Sequence, residues 1–541
     1  MSSTFCIGQT NLSKQQVKSL TTLGEIWGFL KYYHPAAAKG KWDWDSVLIA
    51  KIPFYLKAKD KKSVSKLTKE WILELGQVNL CSNCYQHVPD SIAYNLDFSW
   101  INKNTFEAAV IDKLNYIKAN RNTGNSYYVE YDKTRRRLVN FIHEKIYNEP
   151  AFLYPDAAYR LLLLFRYWNI VNYFSPYKYL NGQVWNKLLE SKIPAFYTAK
   201  DKLTYQLEYV RLINSLNDGH STVYSAVLDD FLGKRYTVPF LCMRLKDQFV
   251  VSSILNDSAA ASLNIKKGDI IKEVNGKKAI KLYHMIKPYV IASNDDSRAM
   301  TFAASFLFRA KDSIFIIKKI RGEKEITETI QLSQFNNKAI SADKAWQVLP
   351  DSIGYVDMGV LPKIEVDKMM NALRHTKAIV FDIRNYPHDT WPLIANYLSA
   401  HPFAMAKIAY PDLDYPGVFL FANPLYGKEN KNPYTGKVIL LVDESSVSHA
   451  EYSAMGLQAA AQTITIGNTT AGKDGDVTYP IWLPGGLFTR FSGLGIYYPN
   501  GVVTQRRGIK IDIKVRPTSK GLQEGRDEVI EAALDYINTK D

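Results

Sequence analysis

The chain has 541 residues, more than one hydrophobic core can organise, and this length predicts three or four domains. Apolar residues make up 46% of the chain and charged residues 22%, as in ordinary globular proteins, and no apolar run approaches the roughly 20 residues of a membrane span. The formal charge of +15 comes from basic residues scattered without a helix-turn-helix, zinc-finger or RNA-binding pattern, which favours a solvated basic surface and argues against a nucleic-acid partner.

The amino-terminal part of the chain contains an internal repeat at a constant offset of 141 residues. The matching positions are Trp27 and Trp168, Tyr32 and Tyr173, Pro35 and Pro176, Trp44 and Trp185, Lys51–Pro53 and Lys192–Pro194, and Ala58–Asp60 and Ala199–Asp201. Aromatic residues recur at helical spacing around Trp27 and Trp168, and we expect them to lie in the core. The repeat predicts two copies of one helical unit, at 14–150 and 151–230, the second ending in Asp218-Gly219-His220.

The first copy carries a small insertion around Cys81-Ser82-Asn83-Cys84. A structural zinc site needs four ligands, and beyond the nearby His87 the other cysteines, Cys6 and Cys242, are distant in the sequence. A zinc site, a local disulfide and idle thiols are therefore all possible at this pair. The polar, mixed composition of residues 82–125 predicts a small β insertion around it.

Residues 236–330 have the pattern of a small β-rich domain. Its predicted elements are strands at Tyr236–Leu241 and Phe249–Ile254, a short helix at Ser258–Leu263 and a strand between turns at Lys267–Lys277. The G-D-x-I-x-x-V-N-G element in the last of these resembles that of PDZ domains. The resemblance implies that an extended peptide adds to a sheet edge and is held at Val238, Phe240 and Leu241, although Pro239 removes one backbone donor.

The segment 438–473 brings a nucleophile and a base to one predicted parallel β-α-β unit. Its predicted elements are strands at Val438–Val442 and Thr463–Gly467 and a helix at Ala450–Ala461. Ser448 then lies at the helix start, where the N–H of His449 can stabilise an oxyanion. Lys473 follows the second strand at the same rim, and burial would lower its pKa enough for it to accept the serine proton. The alternatives are a helix-capping serine and a solvated lysine.

Several motifs in this region resemble those of carboxyl-terminal processing (tail-specific) proteases. They are SVSHAE at 446–451, TAGK at 470–473, PNG at 499–501 and GIKIDI at 508–513. The resemblance implies an α/β catalytic domain of the ClpP/crotonase type at 340–541, with Ser448 as nucleophile and Lys473 as general base. It implies an endopeptidase acting on polypeptides, including their carboxyl-terminal tails, without a cofactor or metal. It also implies a periplasmic, cell-envelope or secreted protein, although Met1–Cys6 has no apolar signal core.

Two departures from the family pattern bear on catalysis. The strand and turn at 378–387 resemble the family's D-L-R-x-N-P-G-G element, whose turn supplies the second oxyanion N–H, but His388 and Asp389 replace its closing glycines. We expect the N–H of His388 to take that role. The family's glutamine that orients the base is Val477 in this chain. These changes leave a second hypothesis, a catalytically weak homologue that binds peptides or serves as a scaffold.

His220 is an alternative base. It lies in the D-G-H element where the related tricorn-type proteases carry the histidine that activates their serine, but the glutamate of those enzymes is Gln505 here. A helix-terminal cap or a packing role is the structural alternative for this histidine. The sequence therefore favours a multidomain α/β serine endopeptidase with duplicated helical units, a PDZ-like domain and Lys473 as base, with a tricorn-like mechanism through His220 as the alternative.

Overall fold

The computed structural model describes residues 11–85, 87–135, 137–182, 184–332 and 344–539. Met1–Cys6 and residue 340, the predicted start of the catalytic domain, lie outside the described residues. The described chain is a multidomain α/β protein with a helical amino-terminal part and two six-stranded sheets. Within these ranges, no helix combines the length and the apolar character needed to cross a bilayer.

The two copies of the repeat fold into the same series of helices. The elements of the first copy and its insertion are α1 (Lys14–Tyr33), α2 (Pro35–Ala38), α3 (Trp44–Lys57), α4 (Lys61–Glu74), α5 (Asp90–Ala93), α6 (Ala108–Ala119), β1 (Val129–Tyr131) and β2 (Val139–Phe141). Those of the second copy are α7 (Ala157–Phe174), α8 (Val184–Thr198) and α9 (Lys202–Asn214). Helices α4 and α9 begin at equivalent positions because the same capping residue precedes each of them. Asp60 accepts a hydrogen bond from a backbone N–H in the first turn of α4, and Asp201 does the same for α9.

Paired tryptophans fix the same helix crossing in each copy. The indole N–H of Trp27 donates to the carbonyl of Trp44 at 3.0 Å, and that of Trp168 donates to the carbonyl of Trp185 at 2.9 Å. All four side chains are buried, as predicted for core aromatics. A buried indole N–H needs a partner, so each bond satisfies a polar group while the ring supplies apolar contact.

The two copies pack against each other through equivalent positions of α1 and α7. Gly24 lies against the ring of Phe165, where an added Cβ would meet the ring at 2.9 Å. Gly28 lies against Asn169, where an added Cβ would stand 1.8 Å from the side-chain oxygen. Phe165 and Asn169 occupy, in the second copy, the positions that Gly24 and Gly28 occupy in the first, at the offset of 141 residues. The copies therefore share one hydrophobic core rather than forming separate domains divided at residue 150.

The insertion around the cysteine pair differs from its prediction. Cys81 and Cys84 form a disulfide, which excludes the zinc and free-thiol alternatives for this pair. Of the described residues between 82 and 125, none forms a strand; the segment consists of loops with α5 and α6. The predicted β structure appears only afterwards, as the β1–β2 hairpin. The β structure predicted from composition is wrong for this segment, because polar, mixed sequences occur in surface helices and loops as well as in strands.

The segment after His220 forms a β-rich unit with helices against its sheet. Its elements are α10 (Ala226–Leu232), β3 (Lys234–Arg235), β4 (Phe240–Leu245), β5 (Gln248–Ile254), α11 (Asp257–Ser262), β6 (Ile270–Val274), β7 (Lys277–Lys278), α12 (Ala279–Ile286), α13 (Asp295–Ser305), β8 (Arg309–Ala310), β9 (Ile314–Arg321) and β10 (Lys324–Gln331). The main path of the sheet runs β10-β9-β6-β5-β4. Strand β4 is therefore an edge strand, and α13 packs beside it.

The carboxyl-terminal part contains the predicted parallel β-α-β unit. Its elements are β11 (Trp346–Leu349), β12 (Ile353–Asp357), α14 (Val366–Leu373), β13 (Ala378–Asp382), α15 (Trp391–Leu398), β14 (Phe403–Ala404), β15 (Lys407–Pro411), β16 (Phe419–Ala422), β17 (Leu425–Tyr426), β18 (Lys437–Val442), α16 (His449–Ala460), β19 (Thr463–Gly467), β20 (Ile481–Leu483), β21 (Leu487–Thr489), β22 (Gly495–Tyr497), β23 (Ile513–Lys514), α17 (Ser519–Gln523) and α18 (Glu528–Asn538). The main sheet has the order β11-β12-β13-β18-β19-β23, and only β11 runs antiparallel to its neighbour.

This sheet is buried on both faces, which explains the continuous apolar runs of β13 and β18. One face packs against α14, α15 and α16, and α18 covers the other. The β20–β21 hairpin leaves this domain and joins the helical core through Ile481, Leu483 and Leu487. The helical repeat and the carboxyl-terminal part thus share one buried core.

Candidate active site

Ser448 lies in the turn between β18 and α16, at the carboxyl end of the central strand. Its φ of +51° is left-handed, a conformation that is costly for a residue with a side chain and is found where function requires it. The preceding turn is held by Ser446, whose buried hydroxyl donates to the carbonyl of Ile383 at 2.7 Å. The strained turn presents the Ser448 hydroxyl at the start of α16, where the helix dipole is positive.

His220 is the side chain that contacts this hydroxyl. Its Nε2 atom lies 3.0 Å from Ser448 Oγ, and its Nδ1 atom lies 2.9 Å from the hydroxyl oxygen of Ser492. Ser492 Oγ in turn lies 2.9 Å from a carboxylate oxygen of Asp218, which also accepts from the backbone N–H of His220 at 2.9 Å. Ser492 and Asp218 are both buried. The four side chains form one hydrogen-bonded chain from the hydroxyl of Ser448 to the carboxylate of Asp218.

The direction of these hydrogen bonds follows from the charge of His220. Burial lowers the pKa of His220 to about 4; the charge of Asp218 opposes that change, and the charge of Lys473 adds to it. A neutral imidazole has one donor and one acceptor nitrogen. With Nδ1–H donating to Ser492 and the Ser492 hydroxyl donating to Asp218, Nε2 is left as the acceptor for the Ser448 hydroxyl. The arrangement therefore holds the tautomer that a general base needs.

Lys473, the predicted base, contacts a different atom. Its ammonium lies 3.5 Å from the carbonyl oxygen of Gly219, and among the described residues no hydrogen bond joins it to Ser448. Its stem packs on Gly219, where an added Cβ would stand 2.7 Å from Lys473 Cδ. Burial lowers the pKa of Lys473, while the charges of Asp218 and Glu451 oppose that change. The structure thus pairs Ser448 with His220 rather than with Lys473, because the lysine stem is directed along the 218–220 loop.

Glu451 connects the backbone at Ser448 to the backbone at Lys473. This buried carboxylate accepts from the backbone N–H groups of Ser448 at 3.2 Å, Gly472 at 2.8 Å and Lys473 at 3.0 Å, and from the hydroxyl of Thr470. Burial raises the pKa of Glu451, and these donors counteract the increase. The glutamate of the S-x-x-E motif thus ties the start of α16 to the T-x-G-K loop.

Two backbone N–H groups are available for an oxyanion. His449 is the first residue of α16, and its N–H is one of the helix-end donors that lack an intrahelical acceptor. His388 lies in the exposed turn after β13, at the same rim of the sheet. Within the described chain, neither N–H donates a hydrogen bond to another residue. The two positions expected from the sequence thus have free donors at the rim that carries Ser448.

The sequence did not identify Ser492 and Asp218 as partners of the histidine. Asp218 is part of the D-G-H element, so the spacing of two residues was an available signal, but Ser492 lies 272 residues from His220 in a stretch without a motif. Val477, at the position of the family's orienting glutamine, forms an antiparallel bridge with Ser492 and thereby supports it through the backbone. Gln505 contacts Asp474 and Ser293 instead of the histidine.

Residues next in sequence to His220 and Ser448, or close to them, line two cavities. The smaller, of about 370 Å³, is lined by Gly219, Val447 and Lys473 together with part of α13. The larger, of about 780 Å³, lies between the β-rich unit and the catalytic sheet, and Val238, Phe240 and Leu241, the predicted peptide-binding residues, all line it. Three residues of α13, namely Met300, Thr301 and Ser305, line both cavities. Helix α13 thus forms a wall that is common to the two cavities.

The segment that contains Ser448 and Lys473 belongs to a known family. Residues 352–515 match the model of peptidase family S41. The chain carries an S41 peptidase domain. Serine peptidases make up this family, so the chain is of the serine peptidase class, and the predicted relationship to carboxyl-terminal processing proteases is confirmed. The chain matches no curated protein.

Solved structures are similar to this chain over more than the matched segment. Mature CPAF in complex with lactacystin has a TM-score of 0.55 at 13% identity, over 71% of this chain and 99% of the CPAF chain. The photosystem II D1 C-terminal processing protease has a TM-score of 0.39 at 17% identity, over 68% of this chain and 98% of its own. At these identities the similarity to CPAF shows the fold alone. It extends that fold well outside residues 352–515.

Proposed function

We propose that the protein is a serine endopeptidase that cleaves polypeptides through an acyl-enzyme on Ser448, with His220 as general base. The observation that carries the proposal is the 3.0 Å contact between His220 Nε2 and Ser448 Oγ, completed by Ser492 and Asp218. A serine hydroxyl becomes a useful nucleophile when a positioned base removes its proton, and hydrogen-bond reach is the first requirement for that base. Lys473 does not meet this requirement.

The reaction follows from the chain of hydrogen bonds. As Ser448 Oγ attacks the carbonyl carbon of the scissile bond, its proton moves to His220 Nε2, and the imidazolium that forms is stabilised through Ser492 by the carboxylate of Asp218. The carbonyl oxygen becomes an oxyanion, for which the N–H groups of His449 and His388 are the proposed donors. His220 then protonates the leaving amine. Water, activated by the same histidine, hydrolyses the acyl-enzyme and frees Ser448.

The substrate proposed for this site is an extended polypeptide. The edge of β4 offers unpaired backbone groups beside the larger cavity, and the exposed Leu241 lies on this edge. Adding a peptide strand to a sheet edge is how PDZ domains bind their ligands, so the PDZ-like assignment and the binding role of Val238, Phe240 and Leu241 are supported by this geometry. The shared α13 wall would guide such a peptide to Ser448. A carboxyl-terminal tail is the form of polypeptide that the PDZ resemblance favours.

An oxidising compartment is the proposed location. The Cys81–Cys84 disulfide is the supporting observation, because such bonds persist mainly in secreted and periplasmic proteins. This agrees with the periplasmic, cell-envelope or secreted location implied by the family. Trapping of free thiols with maleimide directly after cell lysis checks the proposal: an unlabelled Cys81–Cys84 pair supports it, and a labelled pair contradicts it.

A fluorophosphonate probe tests the catalytic proposal. We expect the wild type to be labelled, Ser448→Ala to lose labelling and His220→Ala to be labelled at least about 10²-fold more slowly. Ser258→Ala and His284→Ala, at exposed positions of the β-rich unit, are the matched controls. Labelling that survives in His220→Ala but disappears in Lys473→Met would assign the base to Lys473. An unlabelled wild type would favour the scaffold hypothesis.

A further inference from the structure

The cavity of about 370 Å³ beside Ser448, here called the lysine cavity, has an uneven distribution of charge. Of the described residues that line it, Lys473 alone carries a formal charge. Most of the remaining wall is apolar, including Val223, Ile291 and Phe306. An ammonium at the wall of an apolar cavity is a strong interaction site for an anion, because it has lost part of its hydration.

Lys473 is not used by the proposed acid–base chemistry. His220 occupies the hydrogen-bonding position at Ser448, and the Lys473 ammonium has only the carbonyl of Gly219, at 3.5 Å, as a hydrogen-bond partner in the described chain. The nearest carboxylates are already engaged: Glu451 accepts from four donors, and Asp218 accepts from Ser492 and the backbone of His220. No described carboxylate forms an ion pair with this lysine. Its donors are thus available to a ligand.

Ser221 is a second polar residue at the same cavity. It is a lining residue, is 7% exposed, and its hydroxyl is buried without a hydrogen-bond partner among the described residues. A buried hydroxyl without a hydrogen-bond partner is energetically unfavourable unless a ligand or a water molecule forms a hydrogen bond with it. Ser221 follows His220 directly in the sequence, and Glu451 ties the backbone of Lys473 to that of Ser448. A group bound between Lys473 and Ser221 would therefore lie close to the bond that Ser448 attacks.

We propose that the lysine cavity is a specificity pocket that binds a carboxylate of the substrate polypeptide, through Lys473 Nζ and Ser221 Oγ. The inference rests on the proposed peptidase function and adds the substrate class that this site selects. The carboxylate belongs either to an acidic side chain next to the cleaved bond or to the free carboxyl terminus of the polypeptide. Both sources present the same chemistry to the pocket, and the experiment below distinguishes them.

The expected selectivity follows from the cost of leaving these donors unpaired. A hydrogen bond to a charged group in a partly buried site changes the binding equilibrium by about 10- to 100-fold. A neutral isostere such as an amide keeps the shape of the ligand but loses the ionic part of the interaction. The pocket should therefore discriminate carboxylate from amide by that factor, in kcat/KM and mainly through KM.

The test uses internally quenched peptides of one sequence in matched pairs. One set carries Glu or Gln at each position flanking the cleaved bond, and the other carries a free or an amidated carboxyl terminus. For the wild type we expect the kcat/KM of one carboxylate-bearing peptide to exceed that of its amide partner by about 10-fold or more. In Lys473→Met this ratio should approach one, and in Ser221→Ala it should fall partway. A preference seen in the Glu series assigns a side chain, and one seen in the amidation series assigns the carboxyl terminus.

Lys510→Met is the matched control, because Lys510 is an exposed lysine that does not line the cavity, and the ratio should be unchanged in this variant. A wild type that cleaves both members of every pair equally would overturn the inference while leaving the peptidase proposal intact. The same holds if the ratio persists in Lys473→Met. Loss of fluorophosphonate labelling in Lys473→Met, with labelling retained in His220→Ala, would overturn both the inference and the assignment of His220 as base.

Discussion

The hydroxyl of Ser492 separates the imidazole of His220 from the carboxylate of Asp218, at 2.9 Å from each. A serine in this position accepts from Nδ1–H and donates to the carboxylate, so it transmits the orienting effect of the negative charge without direct contact. The backbone N–H of Ser492 also donates to Asp218 at 2.7 Å, which fixes the carboxylate from the same residue. The proposed base is therefore oriented by a residue that lies in the carboxyl-terminal part of the chain and not beside the histidine.

Ser492→Ala should lower kcat by about 10²-fold and leave KM close to that of the wild type, because the imidazole loses the acceptor that fixes its tautomer. Steady-state kinetics on an internally quenched peptide measures the effect, with Ser258→Ala as the surface control. An unchanged kcat in Ser492→Ala would show that Asp218 or water orients His220 without the hydroxyl.

The pH dependence of kcat/KM identifies the base. His220 accepts a proton only when it is neutral, and burial lowers its pKa to about 4, so activity should be constant near neutral pH and fall as the pH drops through about 4. A lysine base must also be neutral, but the ordinary pKa of lysine is much higher, so activity would still rise above neutral pH. Samples returned to neutral pH before assay separate the reversible protonation of His220 from acid unfolding.

Glu451→Gln should reduce both stability and activity. The carboxylate accepts four hydrogen bonds, and an amide in its place turns one acceptor into a donor that faces backbone N–H groups. We expect a loss of about 2 kcal/mol or more in the free energy of unfolding, seen as a lower midpoint of thermal unfolding. Glu70→Gln, at an exposed helix position, should change it by less than about 0.5 kcal/mol. Equal effects of the two substitutions would contradict the anchoring role.

Gly28→Ala should destabilise the helical part even though alanine is the better helix former. The added methyl group would stand 1.8 Å from Asn169 Oδ1, and overpacking of this kind costs about 1–3 kcal/mol. In an Asn169→Ala background the same change should be neutral or stabilising, since the obstructing atom is gone. Thermal unfolding followed by circular dichroism measures both, and additive effects of the two substitutions would disprove the contact.

The local pattern of the catalytic segment was sufficient to predict its structure. The apolar runs at Val438–Val442 and Thr463–Gly467 and the small residues between them define β18, β19 and α16, and with them the position of Ser448. The repeat was also readable, because tryptophans and capping residues recur at a fixed offset. Both signals lie in the order of residues along the chain and need no knowledge of which residues meet in space, so periodicity and spacing are sufficient to detect them.

The proposed base, His220, and the residues that orient it depend on contacts that sequence patterns do not encode. His220 meets Ser448 across 228 residues and Ser492 across 272, and the helical repeat and the β20–β21 hairpin fix the relative positions of these loops. The family spacing of serine and lysine drew the prediction to Lys473, whereas the direction of its stem is decided by the space beside Gly219. The cysteine pair was undecided for the same reason, since the sequence cannot tell which partners a thiol meets.

The facing of equivalent positions in α1 and α7 has an evolutionary consequence. In a dimer of identical single units, each of these positions would meet itself, so glycine would face glycine across a void and phenylalanine would collide with phenylalanine. Here one copy keeps Gly24 and Gly28 while the other carries Phe165 and Asn169, so the two surfaces are complementary only as a mixed pair. The two copies have thus diverged into a pair of surfaces that fit each other and not themselves. In sequence, the second member of this pair alone ends in the D-G-H loop.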